Sequence, residues 1–237
     1  MTNTLTHHIP APVTTAAPLV YPIALALDGK ACLVVGGGEI AEGKLDALLL
    51  AGARITVVSP RVRPRIAALA AAGRLTLLRR AYLPADLEGK FLVIAATDSP
   101  AINAAIATEA RAAGILVNAV DDIPYCDFFA MAIVRRGALQ LAISTNGRSP
   151  AFARWLRERL DAELPAAYGD LLDVLGEVRE TIKADGPIPV YEHWREAITE
   201  EVFAALLAGD REAARDLVLA RVAAGIGIPA AQEAGAA

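Results

Sequence analysis

Fourteen residues, Ala31 to Lys44 (ACLVVGGGEIAEGK), constrain this chain more than any other stretch. An apolar run from Ala31 to Val35 stops at three glycines, and a helical pattern starts at Glu39. That order spells a strand, a tight turn and a helix N-terminus. Gly36, Gly38 and Ala41 take the G-x-G-x-x-A spacing of a dinucleotide-binding turn. Gly36 permits the turn, Gly38 lets a pyrophosphate approach the backbone, and the small Ala41 lets the helix pack close on the strand. The anion would meet free N–H groups at the positive end of the helix. Glycine-rich turns also occur without ligands, so the placement between strand and helix carries the argument.

The rest of the first half alternates in the same way. Strands are expected over Lys30–Val35, Arg54–Val58, Arg74–Arg79, Phe91–Ala96 and Ile115–Val120. Helices are expected over Glu39–Leu50, with Ile40, Leu45, Leu48 and Leu49 inward, over Val62–Ala72, and from Pro100 to about Ala113. FLVIAA, apolar throughout, suits a strand covered on both faces. Ser99-Pro100 pairs an N-cap with a first-turn proline. This alternation predicts an α/β fold with a Rossmann-type, doubly wound parallel sheet. After Asp121 the pattern changes. Phe128–Val134 and Ala138–Ser144, joined through Arg135-Arg136-Gly137, read as a β-hairpin. Helices then follow over Ala151–Glu163, Tyr168–Lys183, Tyr191–Ala208 and Arg211–Ala224. The division expected is a flexible tail over 1–20, a dinucleotide-binding domain over 21–122, a hairpin segment over 123–150 and a helical region over 151–237.

Length and composition exclude several classes. The 237 residues suffice for one large domain or two smaller ones. Although 55% of residues are hydrophobic, much of that is alanine, and no apolar run reaches the roughly 18–20 residues of a membrane span. The first twenty residues lack Lys and Arg and contain three prolines, unlike a secretory signal, so a cytoplasmic protein is expected. A net charge of −4 argues against nucleic acid as a partner. Cys32 and Cys126 form neither a metal pair nor a disulfide framework, and no metal-ligand cluster is evident. His7 and His8 lie in the tail and His193 in a distal helix, which disfavours histidine catalysis.

Chemistry must then come from the carboxyl ends of the strands, where such sheets bind ligands. The position about twenty residues beyond the glycines, usually acidic for a ribose 2′-OH, is Ser59, followed by Pro60 and Arg61. Ser59 can bond a ribose but does not repel a 2′-phosphate; equally, Ser59-Pro60 can be a plain strand-ending turn. Thr97, after the fourth strand, lies where a nicotinamide ribose would pass, and also suits a capping turn. Asp121 and Asp122 end the fifth strand, so that one carboxylate can face the cleft as a general base or to orient a cation, with Asp127 a third candidate. A solvated turn is the plainer reading of these acids. Arg135, Arg136, Arg148, Arg154 and Arg157 crowd the hairpin and the next helix start, and guanidinium groups pair well with a polycarboxylate. A charged, solvated helix face also explains Arg154 and Arg157. Ser144–Pro150 is a polar loop entering a helix, suited to anions.

VVGGGEIAEGK, TVVSP, AATD, NAVDD with CDF, and RRGALQLAISTNGRSPAFAR occur in that order between Tyr21 and Pro165. On these motifs the sequence resembles the siroheme synthase N-terminal module, the precorrin-2 dehydrogenase/sirohydrochlorin ferrochelatase family. The resemblance implies NAD-dependent oxidation of precorrin-2, a reduced tetrapyrrole with eight carboxylates, to sirohydrochlorin. Some members also insert Fe²⁺. It implies that Asp121 serves as general base or assists in removing pyrrole protons during metal insertion, and that cofactor contacts fall on Gly36, Gly38, Glu39, Ile40, Ser59, Pro60, Arg61 and Thr97. Arg135, Arg136, Arg148 and Ser149 become candidates for the substrate carboxylates, and a homodimer built through the hairpin region is implied. Met131 and Asn146 depart from the family pattern, which often has proline and a second glycine there. Two readings compete: a dehydrogenase acting on another polycarboxylate, and a module that binds NAD and tetrapyrrole without turnover.

Overall fold

The computed structural model describes residues 20–185 and 187–227, and the chain divides between Ala130 and Met131 into two compact units. The expected tail over 1–19, with His7 and His8, lies outside the described residues, as do Gly186 and the last ten residues.

The first unit is a five-stranded parallel sheet in the order β3-β2-β1-β4-β5. Its strands are β1 (Ala31–Val35), β2 (Arg54–Val58), β3 (Thr76–Leu78), β4 (Leu92–Ala95) and β5 (Leu116–Ala119). Helices α1 (Glu39–Leu50), α2 (Pro64–Ala71) and α3 (Pro100–Ala112) connect them. Alternation along the strands fills two cores. Cys32, Val34, Ile55, Val57 and Ile94 meet α1 and α2 through Ala41, Leu45, Leu48 and Ile66. Leu33, Val35, Val58, Val93 and Val117 face the other way, against Ile106, Ala107 and Ala110 of α3. Burial on both faces explains why these strands are apolar throughout. Chain order reverses between β1 and β4, so the loops at their carboxyl ends part there and open a crevice.

The second unit holds the hairpin of β6 (Ala132–Arg136) and β7 (Leu139–Ile143), followed by five helices. These are α4 (Pro150–Glu163), α5 (Ala167–Asp185), α6 (Tyr191–Ala197), α7 (Glu200–Leu207) and α8 (Arg211–Gly225). Leu171, Val174, Val178 and Ile182 of α5 recur at helical spacing and pack with Val202, Leu206, Val218 and Val222. Gly169 lets α5 seat against the hairpin turn: a Cβ there would lie 2.7 Å from the Arg136 carbonyl oxygen.

Two expected elements are corrected. The first hairpin strand starts and ends later than expected, the second is one residue shorter at each end, and Arg136 pairs with Leu139, so Arg135 and Arg136 are strand residues rather than the turn. The helix expected over Tyr191–Ala208 is two helices. Thr199 begins the second by accepting a hydrogen bond from the Val202 N–H at 3.4 Å, with Glu200 and Glu201 in its first turn.

Candidate active site

The three glycines do different work. Gly36 has φ +124°, and a Cβ on it would lie 2.1 Å from the carbonyl oxygen of Ala96, so only glycine lets β1 turn away beside β4. A Cβ on Gly37 would fall 2.2 Å from the Arg61 carbonyl oxygen and 2.9 Å from Ser59 Oγ. Gly37 is thus the seat of the β2–α2 loop, a role the G-x-G-x-x-A pattern does not express. Gly38 caps α1 with φ −81°, and the space beside it is open, with nothing within 4 Å of a Cβ. No side chain caps the first turn of α1. Backbone donors and open space therefore coincide at Gly38, as the approach of a pyrophosphate requires. Ala41 is fully buried. Ile40 corrects the expectation: it is 49% exposed, at the mouth of the crevice rather than in the core.

The β2–α2 loop is latched onto this turn. Ser59 is buried, and its hydroxyl donates to the Arg61 carbonyl oxygen at 2.6 Å. The Arg63 N–H donates to the Gly37 carbonyl at 2.9 Å. The Arg63 guanidinium lies 3.3 Å from Glu42 and 3.7 Å from Glu39, offsetting two carboxylates in the first turn of α1. On the other wall, Asn103 is 5% exposed on the inner face of α3. Its Oδ1 accepts from the Thr97 N–H at 3.0 Å and hydroxyl at 2.7 Å, and its Nδ2 donates to the Thr97 carbonyl at 3.1 Å. Sequence reasoning passed over Arg63 and Asn103. A polar side chain on the buried side of α3, four residues after the Ser99 cap, was the signal for the second.

Between these walls lies a cavity of about 890 Å³, lined among others by Gly36–Gly38, Ser59, Pro60, Arg61, Thr97 and Ile102. Tyr82 and Glu109 stand at its far side, joined by a 2.6 Å hydrogen bond, and burial together with that carboxylate pushes the tyrosine hydroxyl well above its usual pKa. A second cavity of about 410 Å³ is lined by Gly38, Glu39, Ile40, Ala96, Thr97, Asp98, Val120 and Asp121. Gly38, Ala96, Thr97 and Asp98 belong to both, so the two cavities meet over the end of β4. The larger has the size of a small-molecule site. Every cofactor-contact residue expected from the sequence lines one or both.

Asp121 is exposed and has φ +62°, the left-handed region that a non-glycine residue seldom takes. That conformation turns the chain sharply after β5, where Asp121 lines the smaller cavity. The neighbouring acids do other things. Asp122 opens a short 3₁₀ turn, and its carbonyl accepts from the Tyr125 N–H at 3.0 Å. Asp127 binds Arg111 at 2.8 Å and accepts from the Val117 N–H at 3.1 Å, tying the loop to β5. Cys126 donates to the Ala119 carbonyl at 3.0 Å, and burial raises its pKa.

In the second unit the arginines separate. Arg136 is held internally, donating to the carbonyls of Leu164 at 2.7 Å and Asp161 at 2.5 Å and to the Asp161 carboxylate at 2.9 Å. Its guanidinium ends α4 rather than waiting for an anion. Arg154 and Arg157 meet Glu158 on the solvated face of α4. Arg135 and Arg148 are exposed, and the Ser149 side chain caps α4 through the Phe152 N–H at 3.1 Å. Asn146, where the resembling family often has glycine, has φ +54°, a conformation that asparagine tolerates. Among the described residues no group of three or more His, Cys, Asp or Glu is placed to hold a metal, and no helix is long and apolar enough to cross a membrane.

Residues 23–132 match the family model described as "Putative NAD(P)-binding", and residues 136–163 match "Sirohaem biosynthesis protein central". The chain is similar to siroheme synthases and to a precorrin-2 dehydrogenase. It is 41% identical over 207 residues to the siroheme synthase of Chromobacterium violaceum, covering 86% of this chain and 44% of that protein. To siroheme synthase 1 of Aeromonas salmonicida it is 47% identical over 163 residues, 69% of this chain and 35% of the relative. The chain thus spans less than half the length of these curated relatives. A solved structure, "SirC, precorrin-2 dehydrogenase", superimposes with a TM-score of 0.67 at 29% identity, covering 84% of this chain and 98% of its own.

Proposed function

We propose that this protein is an NAD-dependent precorrin-2 dehydrogenase that forms sirohydrochlorin in siroheme biosynthesis. The observation that carries the reading is the pair of cavities joined at Ala96–Asp98, one over the glycine turn and the other holding Asp121. Open space at Gly38, uncapped donors at the start of α1 and the neutral Ser59 wall fit a dinucleotide. NAD⁺, when bound, supplies the hydride acceptor. The chain's own residues do the rest. Gly38 and the α1 N-terminus hold the pyrophosphate, Asn103 fixes the Thr97 loop, and Ile40 screens the crevice mouth from water. Asp121 accepts the proton lost as the hydride departs, so that one C–H pair becomes a double bond with charge balanced. Arg135 and Arg148 answer the substrate's carboxylates.

The protein acts in the cytoplasm as a homodimer. Exposed Phe152 and Trp155 of α4, stacked 5.7 Å apart, support that state, and sedimentation velocity tests it. Fe²⁺, as a second substrate, would enter sirohydrochlorin at the same carboxylate. Anaerobic incubation with precorrin-2 and NAD⁺ is expected to give sirohydrochlorin and NADH in equal amounts. NAD⁺ binding without turnover would replace the dehydrogenase with a sensor or carrier. Acceleration of Fe²⁺ insertion above the uncatalysed rate decides the second activity.

A further inference from the structure

Resting on the dehydrogenase reading, we propose that the β2 end of the larger cavity is built to take a 2′-phosphate, so that the site accepts NADP⁺ as well as NAD⁺. Sites that select NAD⁺ place a carboxylate at the end of β2, where it bonds the ribose 2′-OH and repels a phosphate; sites for NADP⁺ replace it with neutral residues and a nearby arginine. Here the position is Ser59. Its proton is given to the Arg61 carbonyl oxygen at 2.6 Å, which leaves only lone pairs for a ribose hydroxyl and no negative charge. The side chain is 7% exposed and is wedged beneath Gly37, so a longer acid would not fit there without displacing the turn.

Arg61 lines the same cavity two residues further on, and its guanidinium has neither an ion pair nor a hydrogen bond among the described residues. The contrast with its neighbour is informative. Arg63 is occupied by Glu39 and Glu42, and its backbone closes the loop onto Gly37, which holds the Arg61 backbone in place. The acids that line the cavity, Asp98 and Glu109, belong to the β4–α3 wall, and Glu109 is bound by Tyr82. An arginine without an ion pair, lining the same cavity as a neutral ribose position, is matched to a phosphate, which its guanidinium can bind through two parallel N–H donors.

Isothermal titration of the full chain with NAD⁺ and with NADP⁺ tests this. The expected result is an NADP⁺ dissociation constant within about threefold of that for NAD⁺, or lower. Arg61→Ala should weaken NADP⁺ at least about tenfold more than it weakens NAD⁺, the loss of one charge-assisted contact. Raising the salt should weaken NADP⁺ more steeply. NADP⁺ binding more than about tenfold weaker than NAD⁺, or equal losses for both in Arg61→Ala, would overturn the proposal while leaving the dehydrogenase reading intact. Binding of both dinucleotides without sirohydrochlorin formation would do the opposite. Binding of neither would overturn both.

Discussion

Gly37→Ala and Gly38→Ala differ by one position and should fail in different ways. In Gly37→Ala the new methyl meets the Arg61 carbonyl oxygen at 2.2 Å, Val62 Cγ1 at 2.7 Å and Ser59 Oγ at 2.9 Å. The first of these is backbone, so the β2–α2 loop must move and break the Arg63 N–H bond to Gly37. Overpacking of this kind costs about 1–3 kcal/mol, and the lost hydrogen bond adds about 1 kcal/mol. With roughly 2–4 °C per kcal/mol for a chain of this size, Tm should fall by about 4–16 °C. In Gly38→Ala the methyl meets nothing within 4 Å and the backbone is already at φ −81°, so the cost is that of alanine at an N-cap, about 0.5–1 kcal/mol. Tm should fall by no more than about 4 °C. NAD⁺ affinity should nevertheless fall at least about tenfold, because the methyl occupies the approach to the α1 N-terminus. Differential scanning calorimetry and titration with NAD⁺ read the two effects separately. If Gly38→Ala binds NAD⁺ like the wild type, or melts as early as Gly37→Ala, the assignment of the pyrophosphate to this turn is wrong.

Three further outcomes follow from the same geometry. Asn103→Leu removes three hydrogen bonds to Thr97 and strands its backbone N–H, so it should cost about 2–4 kcal/mol and raise the KM for NAD⁺, read by thermal melting and steady-state kinetics. Arg136→Ala should destabilise the second unit by about 2–3 kcal/mol, and lysine should rescue only part of that because it cannot reproduce the forked donors to Asp161 and Leu164; urea titration of the three proteins decides. Asp86 is held below its usual pKa of 3.8 by hydrogen bonds from Arg80, against the opposing effect of burial. A depressed carboxyl stabilises the fold above the unfolded pKa and ceases to do so as pH falls through the folded one. Stability should therefore drop below about pH 4 more steeply in the wild type than in Asp86→Asn, and equal slopes would remove this pair from the acid response.

Elements whose signal is local were legible in the residues alone. The α1 boundaries, the β2 boundaries and the Ser99 and Ser149 caps stand where expected, because glycine, β-branched runs and Ser-Pro pairs act within one turn of chain. The parallel sheet followed from apolar strands alternating with helices. What escaped depends on partners distant in sequence. Ile40 belongs to the helical apolar pattern, yet α1 starts at the crevice, so its first turn has no sheet to face. The hairpin register is set by packing on α4 and α5 as much as by its turn, which moved Arg135 and Arg136 into β6. Arg136 and Asp127 looked like surface charges available for chemistry; both are internal ties to backbone groups 10 to 28 residues away. Thr199 was hidden because apolar periodicity runs through the break it caps.

The central claim is that both cavities serve one reaction, with Asp121 receiving the proton. Asp121→Asn tests it most directly, since asparagine tolerates φ +62° and keeps the shape of the turn while losing the base. Under anaerobic conditions with precorrin-2 and saturating NAD⁺, the initial rate of sirohydrochlorin absorbance should fall by about 10²–10⁴-fold with NAD⁺ affinity unchanged. A variant that turns over at the wild-type rate would contradict the account.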